Sequence, residues 1–397
     1  MKRLKLAAVV TEYRKYSHAQ HIVDRFLYGY GWNGKHHYPE MDVVSLYTDQ
    51  VPKSDASRSR AEEFDSLTIY PSVAEALTQG GEKLAVDGVL LIGEHGDYPY
   101  NEKGQHLYPR YELFKQIVKV FQDSSRSVPV FNDKHLSWNW DWAKEMVQDS
   151  VDLDFGLMAG SSLPFARRIP DIEFEIGTEI EEVMCVSPGG IDSYDLHALE
   201  VLQCMTERRK GGETGVSTMH AIKGQPVWDS LQTGKWEDGG FDPKLFEACL
   251  CRSHKLNPSR SGYSHHFPTM GELRQRHRDA IAYRFEYTDG VKASIILADG
   301  LVGDFNFAAR IKGQKDVAST LMFLPYYDLQ NFFSPQVNAI ETLMRTGKSP
   351  ARIERTLMTT GLTAAGVESL FQKQKRINTP HLGISYHPFE QSAYWRT

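Results

Sequence analysis

Three reactive side chains follow one another at the end of an apolar run in this sequence. The run, residues 128–131, is short and apolar and predicts a buried strand. It leads into Asp133, Lys134 and His135, which supply an acid, an amine and an imidazole. In open α/β sheets, ligands bind at the carboxyl ends of the strands. The cluster therefore predicts a catalytic or binding site, while a solvated polar loop is the simpler alternative for any one of these residues.

The segments on either side of this cluster alternate between predicted strands and helices. Apolar runs predict strands at residues 4–10, 43–47, 68–70, 86–92, 128–131 and 155–159, with a helix in each interval. Ser17 and Ser137 are the predicted N-caps of the helices that begin at His18 and Trp138. This alternation predicts βαβ units and an α/β fold with a Rossmann-like, doubly wound parallel sheet. Its right-handed crossovers bring the strand ends to one edge.

The loop after the first strand carries no glycine. A dinucleotide-binding unit would have G-x-G-x-x-G there, because glycine lets the backbone approach the pyrophosphate closely. Residues 11–18 instead read Thr-Glu-Tyr-Arg-Lys-Tyr-Ser-His. Since Tyr13 and Tyr16 are bulky, they would block the usual approach, and a dinucleotide would have to bind in an altered pose.

Other residues near this loop could hold a dinucleotide by charge. Arg14 and Lys15 supply positive charge, and Ser17 with the N-terminus of the following helix supplies donors. Asp49 ends the second predicted strand, where an acid contacts the adenosine ribose in dinucleotide-binding folds. A turn residue before a proline is the equally good alternative for Asp49. The cofactor-binding set to be tested is Arg14, Lys15, Ser17, Asp49, Glu94 and His95, the last two from the loop after the strand at 86–92.

The composition argues against several classes of protein. The 397 residues are enough for two domains, and 41% hydrophobic with 24% charged residues are ordinary for a globular protein. A net charge of −6 without a basic stripe argues against nucleic-acid binding. The first apolar run, residues 4–10, is too short to cross a membrane. Four cysteines without a C-x-x-C pair suit a reducing compartment, so we expect a cytoplasmic protein.

The strand-end cluster and the predicted layout together resemble the glucose-fructose oxidoreductase, inositol dehydrogenase and MocA (Gfo/Idh/MocA) family of dehydrogenases. The fifth strand of that family ends in Glu-Lys-Pro, whose lysine contacts the substrate and the nicotinamide. Asp133, Lys134 and His135 keep the lysine and change both of its neighbours. The resemblance therefore implies a catalytic role for Lys134.

A second match lies further along the chain. The family has a glycine pair, then a helix with a catalytic histidine, then an acid three residues later. Gly189 and Gly190, followed by His197 and Glu200, have this spacing. The family often has a substrate-facing arginine after the sixth strand, where this chain has Arg167 and Arg168. The resemblance thus implies a set of substrate-binding residues, namely Asp133, His135, Arg167, Arg168 and Glu200.

The resemblance also implies a domain organisation and a reaction. Residues 1–160 would form the Rossmann-like domain. Residues 161–397 would form an α+β domain with an open, mainly antiparallel sheet, through which homodimers or homotetramers assemble. The implied function is a nicotinamide-dependent oxidoreductase, using NAD or NADP, that acts on a sugar, glycoside or polyol. Lys134 would orient the reacting hydroxyl, and His197 would take its proton as general base.

Two alternatives keep the same fold. In the first, a divalent metal supports a non-redox lyase or hydrolase reaction on a carbohydrate, because imidazole and carboxylate are plausible metal ligands. Its candidate ligands are His95, Asp97, Asp133, His135 and His197. In the second, the chain is a ligand-binding protein that has lost the cofactor and catalyses nothing. The presence of Lys134 and His197 argues against the second alternative, because a pure binder needs no acid–base residue.

The second half of the chain gives weaker local signals. Residues 173–186 alternate in part and predict one long strand, and residues 195–209 predict a helix. Residues 232–278 predict an inserted loop with one short helix at 243–251. Apolar runs at 281–287 and 291–297 flank Thr-Asp-Gly, which is a hairpin signal. Short connections between these later strands predict an antiparallel sheet.

Overall fold

The computed structural model of the chain describes residues 3–257, 262, 264, 266–325 and 328–396, and its first half contains a parallel sheet. The strands of this half are β1 (Leu4–Val10), β2 (Tyr30–Trp32), β3 (Lys35–His37), β4 (Met41–Thr48), β5 (Thr68–Ile69), β6 (Gly88–Ile92), β7 (Val130–Asp133) and β8 (Leu157–Gly160). Six of them pair in the order β5-β4-β1-β6-β7-β8, always parallel. β2 and β3 form a separate hairpin. The predicted Rossmann-like sheet is confirmed.

Helices cover both faces of this sheet. They are α1 (His18–Tyr28), α2 (Ser57–Glu63), α3 (Val73–Thr78), α4 (Arg110–Ser124) and α5 (Trp140–Asp152). Because the middle strands are covered on both sides, β1 and β6 read as nearly continuous apolar runs. α1 begins as predicted, since the Ser17 side chain caps it by accepting from the Gln20 backbone.

The second half contains an eight-stranded sheet that is mostly antiparallel. Its strands are β9 (Arg167–Ile169), β10 (Ile180–Ser187), β11 (Val216–Lys223), β12 (Ile281–Tyr287), β13 (Lys292–Leu297), β14 (Phe305–Ile311), β15 (Ala318–Phe323) and β16 (Ile377–Asn378). They lie in the order β16-β11-β12-β13-β10-β14-β15-β9. β10 pairs with β13 in parallel, and the other pairs are antiparallel. The predicted fold class is therefore confirmed for this half as well.

The second sheet also has helices on both faces. The helices of this half are α6 (Tyr194–Thr206), α7 (Gln225–Thr233), α8 (Pro243–Arg252), α9 (Met270–Arg276), α10 (Phe333–Thr346) and α11 (Ile353–Phe371). α6 and α11 pack on one face, while apolar residues of α7, α8 and α9 pack on the other. Each face of the second sheet thus carries helices of the same chain, and assembly of homodimers or homotetramers through this sheet stays a prediction.

Helix α10 lies in the second half of the sequence but packs on the first sheet. Although it follows β15 in sequence, its residues Val337, Ile340 and Leu343 pack in the same core cluster as β1 and α1. On the opposite face of the first sheet, α3, α4 and α5 form a separate core cluster. The first sheet therefore depends on a helix that lies far beyond residue 160 in the sequence.

Several predicted boundaries were wrong. The strand expected at 128–131 is β7, Val130–Asp133, so Asp133 lies in the strand. Ser137 does not cap α5; Asn139 does, accepting from two backbone N–H groups. The long strand expected at 173–186 begins only at Ile180. Residues 232–278 hold α9 as well as the expected helix, and a capping box at Thr269 starts it. None of the helices within the described ranges combines the length and apolarity that a membrane crossing needs.

Candidate active site

Lys134 follows β7 directly and has a strained backbone. Its φ of 69° lies in the left-handed region, which non-glycine residues seldom adopt. Two backbone hydrogen bonds to Gly160, at the end of the neighbouring strand β8, hold it there. Its side chain is nearly buried, since the residue is 7% exposed. Strain of this kind is concentrated at functional sites, where surrounding structure compensates for it.

His197, on the second turn of α6, contacts Lys134 directly. The Lys134 Nζ lies 2.6 Å from His197 Nε2. Burial lowers the pKa of His197 well below its usual value, and the charges of Lys134 and His18 lower it further. A neutral imidazole therefore accepts from the Lys134 ammonium. Within the described residues, His197 Nδ1 is buried without a hydrogen-bond partner.

Glu94 balances the positive charge around Lys134. Its Oε1 lies 3.9 Å from Lys134 Nζ, and its Oε2 accepts from Arg110 at 2.5 Å. Burial alone would raise the pKa of Glu94, but Lys134 and Arg110 hold it well below the usual value. Arg110 also lies 3.1 Å from His135 Nε2, and burial keeps the pKa of His135 well below normal. His135 thus accepts from a guanidinium, and Glu94 is an anion that is paired with two cations.

Asp133 pairs with a histidine of α1. Its Oδ2 lies 2.7 Å from Nδ1 of His18, the first residue of that helix. His95 approaches the same imidazole, with 5.3 Å between the ring centroids. Burial and His18 lower the pKa of His95 to about 4, so His95 is neutral, as His197 and His135 are. His18 therefore belongs to the same cluster as the predicted residues.

Two buried carboxyl groups fix the start of α6. Asp195 accepts from the Ser193 and Leu196 backbones and from the Tyr283 hydroxyl of β12. Asp192 accepts from the His106 backbone at 2.6 Å. Burial and the neighbouring Asp195 raise the pKa of Asp192 to about 7. These contacts hold the helix of His197 against the second sheet on one side and the loop of His106 on the other.

Three backbone N–H groups at the start of α1 and just before it, those of Arg14, Tyr16 and Gln20, bond within the loop itself. The Ser17 hydroxyl accepts from the Arg14 and Gln20 backbones. The Gln20 side chain accepts from the Tyr16 backbone at 2.6 Å. Tyr13 is fully buried, and its hydroxyl donates to Asp24. These donors are consequently satisfied without an anion, and neither tyrosine leaves the open backbone that a glycine loop provides.

Residues 93–109, between β6 and α4, form a segment that we call the strap. Tyr98 donates to Asp49 at 2.6 Å, and Gln50 makes two hydrogen bonds with the Asp97 backbone. Because β4 and β6 flank β1 in the sheet, these bonds cross over the end of β1. At its other end, the strap bonds Asp192 and the backbone of Trp138. The strap thus covers the sheet edge and reaches the second domain.

The structure brings six of the predicted site residues into one cluster. Around Lys134 and His197 lie four of them, namely Asp133, His135, Glu94 and His95. Sequence reasoning missed His18 and Arg110. His18 had a usable signal, because it is the first residue after a predicted N-cap at the edge of the sheet. Arg110 had no such signal, because the long loop before it left its place relative to the sheet edge undetermined by the sequence.

Other predicted residues have partners of their own. Arg168 is buried, donates to the Ile172 carbonyl and lies over the Tyr394 ring, and Arg167 lies over Trp395. Glu200 accepts from the Ser161 backbone at 2.9 Å. The contacts of these three residues are structural, and their predicted substrate contacts stay predictions.

The predicted cofactor residues are also engaged. Asp49 accepts from both Tyr47 and Tyr98, so each of its carboxylate oxygens has a partner. Arg14 pairs with Glu12 at 2.8 Å, and the Lys15 ammonium lies over the Tyr16 ring. Ser17 is occupied as a cap. Of this set, Lys15 and Asp49 are exposed.

The structure does not arrange the candidate ligands of the alternative metal site as a metal-binding group. Among the described residues, which include all five candidates, no group of three or more His, Cys, Asp or Glu residues could hold a metal ion. Three of the candidate side chains instead bond other groups. Asp133 pairs with His18, His135 with Arg110, and His197 with Lys134.

A cavity of about 790 Å³ lies elsewhere. It is bounded by α1, the β2–β3 hairpin, residues 328–331 and Trp395, and it does not include Lys134 or His197. Aromatic rings line much of it, including Tyr16, Tyr28 and Trp32. We place the candidate active site at the strand ends in spite of this, because the charged and acid–base groups converge there.

Comparisons with known proteins support the fold. No protein-family model matches the sequence, and no curated protein matches it. GenD2 from gentamicin A biosynthesis, solved with NAD, matches at a TM-score of 0.58 and 10% identity over 95% of this chain and 97% of that one. A probable dehydrogenase from Thermotoga maritima matches at 0.56 and 11% identity, over 96% and 100%. The myo-inositol dehydrogenase from Lactobacillus casei, solved with NAD(H) and myo-inositol, matches at 0.56 and 8%, over 98% and 99%.

Proposed function

Because the chain has the fold of the Gfo/Idh/MocA oxidoreductases, we propose that it is an enzyme that oxidises a hydroxyl group of a sugar or polyol. In the solved structures of this fold named above, NAD or NAD(H) is bound in two cases and myo-inositol in one. The observation that carries the proposal is the 2.6 Å contact between Lys134 and His197. It joins the edge of the first sheet to the helix of the second domain.

The two side chains have complementary roles in this proposal. A substrate hydroxyl that accepts from the Lys134 ammonium lies within reach of His197 Nε2. Since burial and Lys134 keep His197 neutral, its Nε2 can take the hydroxyl proton once the substrate hydroxyl displaces the Lys134 ammonium from this nitrogen. Glu94, itself bonded by Arg110, holds the ammonium in place, and the strap covers the sheet edge beside it.

A nicotinamide dinucleotide does not fit the sheet edge in the pose that a glycine loop gives. Tyr13 and Tyr16 replace the open glycine backbone, the N–H groups of Arg14, Tyr16 and Gln20 are used internally, and the bond from Tyr98 to Asp49 crosses the end of β1. NAD or NADP as hydride acceptor remains part of the proposal, with Arg14 and Lys15 as the charges that would hold its phosphates.

The first test is a titration of NAD and NADP at low and high salt, on wild type and on Arg14→Ala with Lys15→Ala. Because exposed charges are screened by salt, we expect affinity to fall as ionic strength rises and to fall in the double variant. The matched control is Lys210→Ala with Lys312→Ala, which removes two exposed cations that both bind Glu179. Tight binding that neither salt nor the double variant changes would refute the charge-based pose.

The second test measures reduced nicotinamide during incubation with a panel of sugars and polyols, including myo-inositol. We expect turnover by wild type and a loss of about a hundred-fold or more in Lys134→Ala and His197→Ala. If either variant keeps wild-type turnover, that residue has no part in the chemistry. If no panel member is oxidised with either dinucleotide, the oxidoreductase proposal fails.

A second candidate function is a non-redox enzyme on the same fold, acting on a carbohydrate. One observation favours it, namely that the loop of α1 and the strap fill the place of a dinucleotide with protein contacts. The titration separates the two candidates, because the absence of dinucleotide binding at any salt concentration favours the non-redox enzyme.

A further inference from the structure

A second imidazole–carboxylate pair lies beside Lys134. His18 Nδ1 is 2.7 Å from Asp133 Oδ2. The Asp133 side chain is 1% exposed and that of His18 is 17% exposed, so a buried acid holds a partly accessible imidazole. Because the carboxylate accepts, the hydrogen sits on Nδ1 and Nε2 is left able to take or give a proton. This is the arrangement that orients a general base in many enzymes.

The pair belongs to the same site as Lys134. Asp133 and Lys134 are consecutive residues at the end of β7, so His18 and the ammonium lie at one strand end. After burial, the charges of Lys134 and His18 are the next two causes that lower the pKa of His197. His18 and Lys134 also both lower the pKa of Glu94 and the pKa of His95. The Lys134 ammonium therefore contacts a neutral imidazole, His197, and shares its strand end with the His18–Asp133 pair.

His18 lies at a position where this fold commonly binds a ligand. The first turn of the helix after β1 is where a doubly wound sheet binds a diphosphate. Here the Ser17 hydroxyl accepts from the Gln20 N–H of that turn, and the first residue of the helix is an imidazole fixed by a buried acid. The first turn of α1 thus presents an oriented imidazole at the strand ends.

We propose that His18 is a catalytic acid–base residue, positioned by Asp133, and that the site transfers a proton at the carbon next to a carbonyl in a keto-sugar or keto-polyol. His18 Nε2 takes the proton from that carbon. The C–H electron pair forms the carbon–carbon double bond of an enediolate, and the carbonyl electrons move onto oxygen. The Lys134 ammonium stabilises the oxygen anion by a charge-assisted hydrogen bond. Return of a proton to carbon completes the cycle, and no oxidant or reductant is consumed.

This activity goes beyond the proposed oxidation, because oxidation moves a hydride and this step moves a proton. The test uses wild-type protein in deuterium oxide with the ketone formed by oxidising one hydroxyl of myo-inositol, and no dinucleotide. Mass spectrometry measures deuterium at the carbon next to the carbonyl. We expect exchange well above the protein-free rate.

Two variants assign the step to the His18 pair. His18→Ala should slow exchange by about a hundred-fold or more, and added imidazole should restore part of the rate. Asp133→Asn should slow exchange less, because it leaves the imidazole but removes the group that fixes its tautomer. The matched control is His37→Gln, which removes another histidine that bonds a buried carboxylate, Glu341, at 2.9 Å. Exchange by this control should equal that of wild type, and circular dichroism checks that each variant is folded.

Three outcomes overturn the proposal. They are no exchange by wild type above the protein-free rate, wild-type exchange by His18→Ala, and a folded His18→Ala that imidazole does not rescue. Failure here is distinct from failure of the oxidoreductase proposal. Exchange without dinucleotide-dependent oxidation supports His18 alone, while oxidation without exchange supports Lys134 and His197 and removes the role of His18.

Discussion

The protonation state of His197 is set by burial first and by the neighbouring cations second. Removing the positive charge of Lys134 should therefore raise the pKa of His197 toward its usual value. Lys134→Met keeps the length of the side chain without the ammonium. We expect the His197 pKa, measured by nitrogen NMR of the imidazole, to rise in this variant.

The matched control for this measurement is Lys15→Met, which removes a lysine that lies over the Tyr16 ring. It should leave the His197 titration unchanged. A His197 pKa that does not move in Lys134→Met would contradict the direct contact on which the proposed function rests.

Asp192 makes stability depend on pH in a definite direction. Burial and Asp195 raise its pKa to about 7, against 3.8 for an ordinary aspartate. Between these values the folded protein binds the proton more tightly than the unfolded chain. The contribution of Asp192 to stability is therefore present at low pH and is lost as pH rises through about 7.

The variant Asp192→Asn tests this sign, because the amide oxygen can still accept from the His106 backbone. We expect the difference in the free energy of unfolding between the variant and wild type to change by roughly 1–3 kcal/mol from pH 5 to pH 8, in favour of the variant. Urea unfolding at both pH values measures it. A difference between the two proteins that is independent of pH would show that Asp192 titrates normally.

At the scale of single elements, α11 can pack on the second sheet because it carries a glycine at the contact. A Cβ on Gly366 would lie 2.2 Å from Cε2 of Tyr283, which is fully buried. Tyr283 cannot move freely, since its hydroxyl bonds Asp195 at the start of α6. Gly366→Ala should therefore lower the free energy of unfolding by about 1–3 kcal/mol. Urea unfolding measures the change.

Gly271 of α9 is the control for this prediction. Its nearest neighbour beyond the adjacent residues would be the Thr269 hydroxyl, 4.0 Å from a new Cβ. Gly271→Ala should be neutral or stabilise the protein by up to about 1 kcal/mol, because alanine is the better helix former. If both substitutions change the free energy of unfolding equally, the close approach of α11 to Tyr283 does not explain the destabilisation by Gly366→Ala.

At the scale of the whole molecule, the two sheets follow one another in sequence, but helix α10 from the second half of the chain packs on the first sheet. We propose to keep the domain boundary at residue 160 for the strands and to assign α10 to the first domain. Since Val337, Ile340 and Leu343 cover one face of the first sheet, a fragment of residues 1–160 would expose that face. We expect this fragment to bind a hydrophobic dye and to unfold without a cooperative transition.

A fusion of residues 1–160 to residues 333–346 through a flexible linker is the comparison. It should restore part of the cooperativity, because the apolar face is covered again. Thermal unfolding followed by circular dichroism measures both proteins. A cooperative transition in the fragment of residues 1–160 alone would show that α10 is dispensable.

Much of the fold could be predicted because its signals are local. Apolar runs marked β1 and β6, Ser17 marked the start of α1, and a Thr-Asp-Gly turn marked the hairpin of β12 and β13. Boundaries that depend on caps, such as Asn139 rather than Ser137, needed the backbone geometry. The helices α7 and α9 were not predicted, because their sequences are largely polar and their contact with the second sheet is what stabilises them.

The sequence alone determined that Lys134, Asp133 and Glu94 lie at one sheet edge, because parallel strands with right-handed crossovers leave no other arrangement. Only the tertiary structure decided which of these groups bond. The pairs His18–Asp133, Lys134–His197 and Arg110–His135 join residues from different elements, and their geometry depends on how helices seat on sheets. Burial, which sets the charge of His197 and Asp192, is likewise a property of the packed molecule.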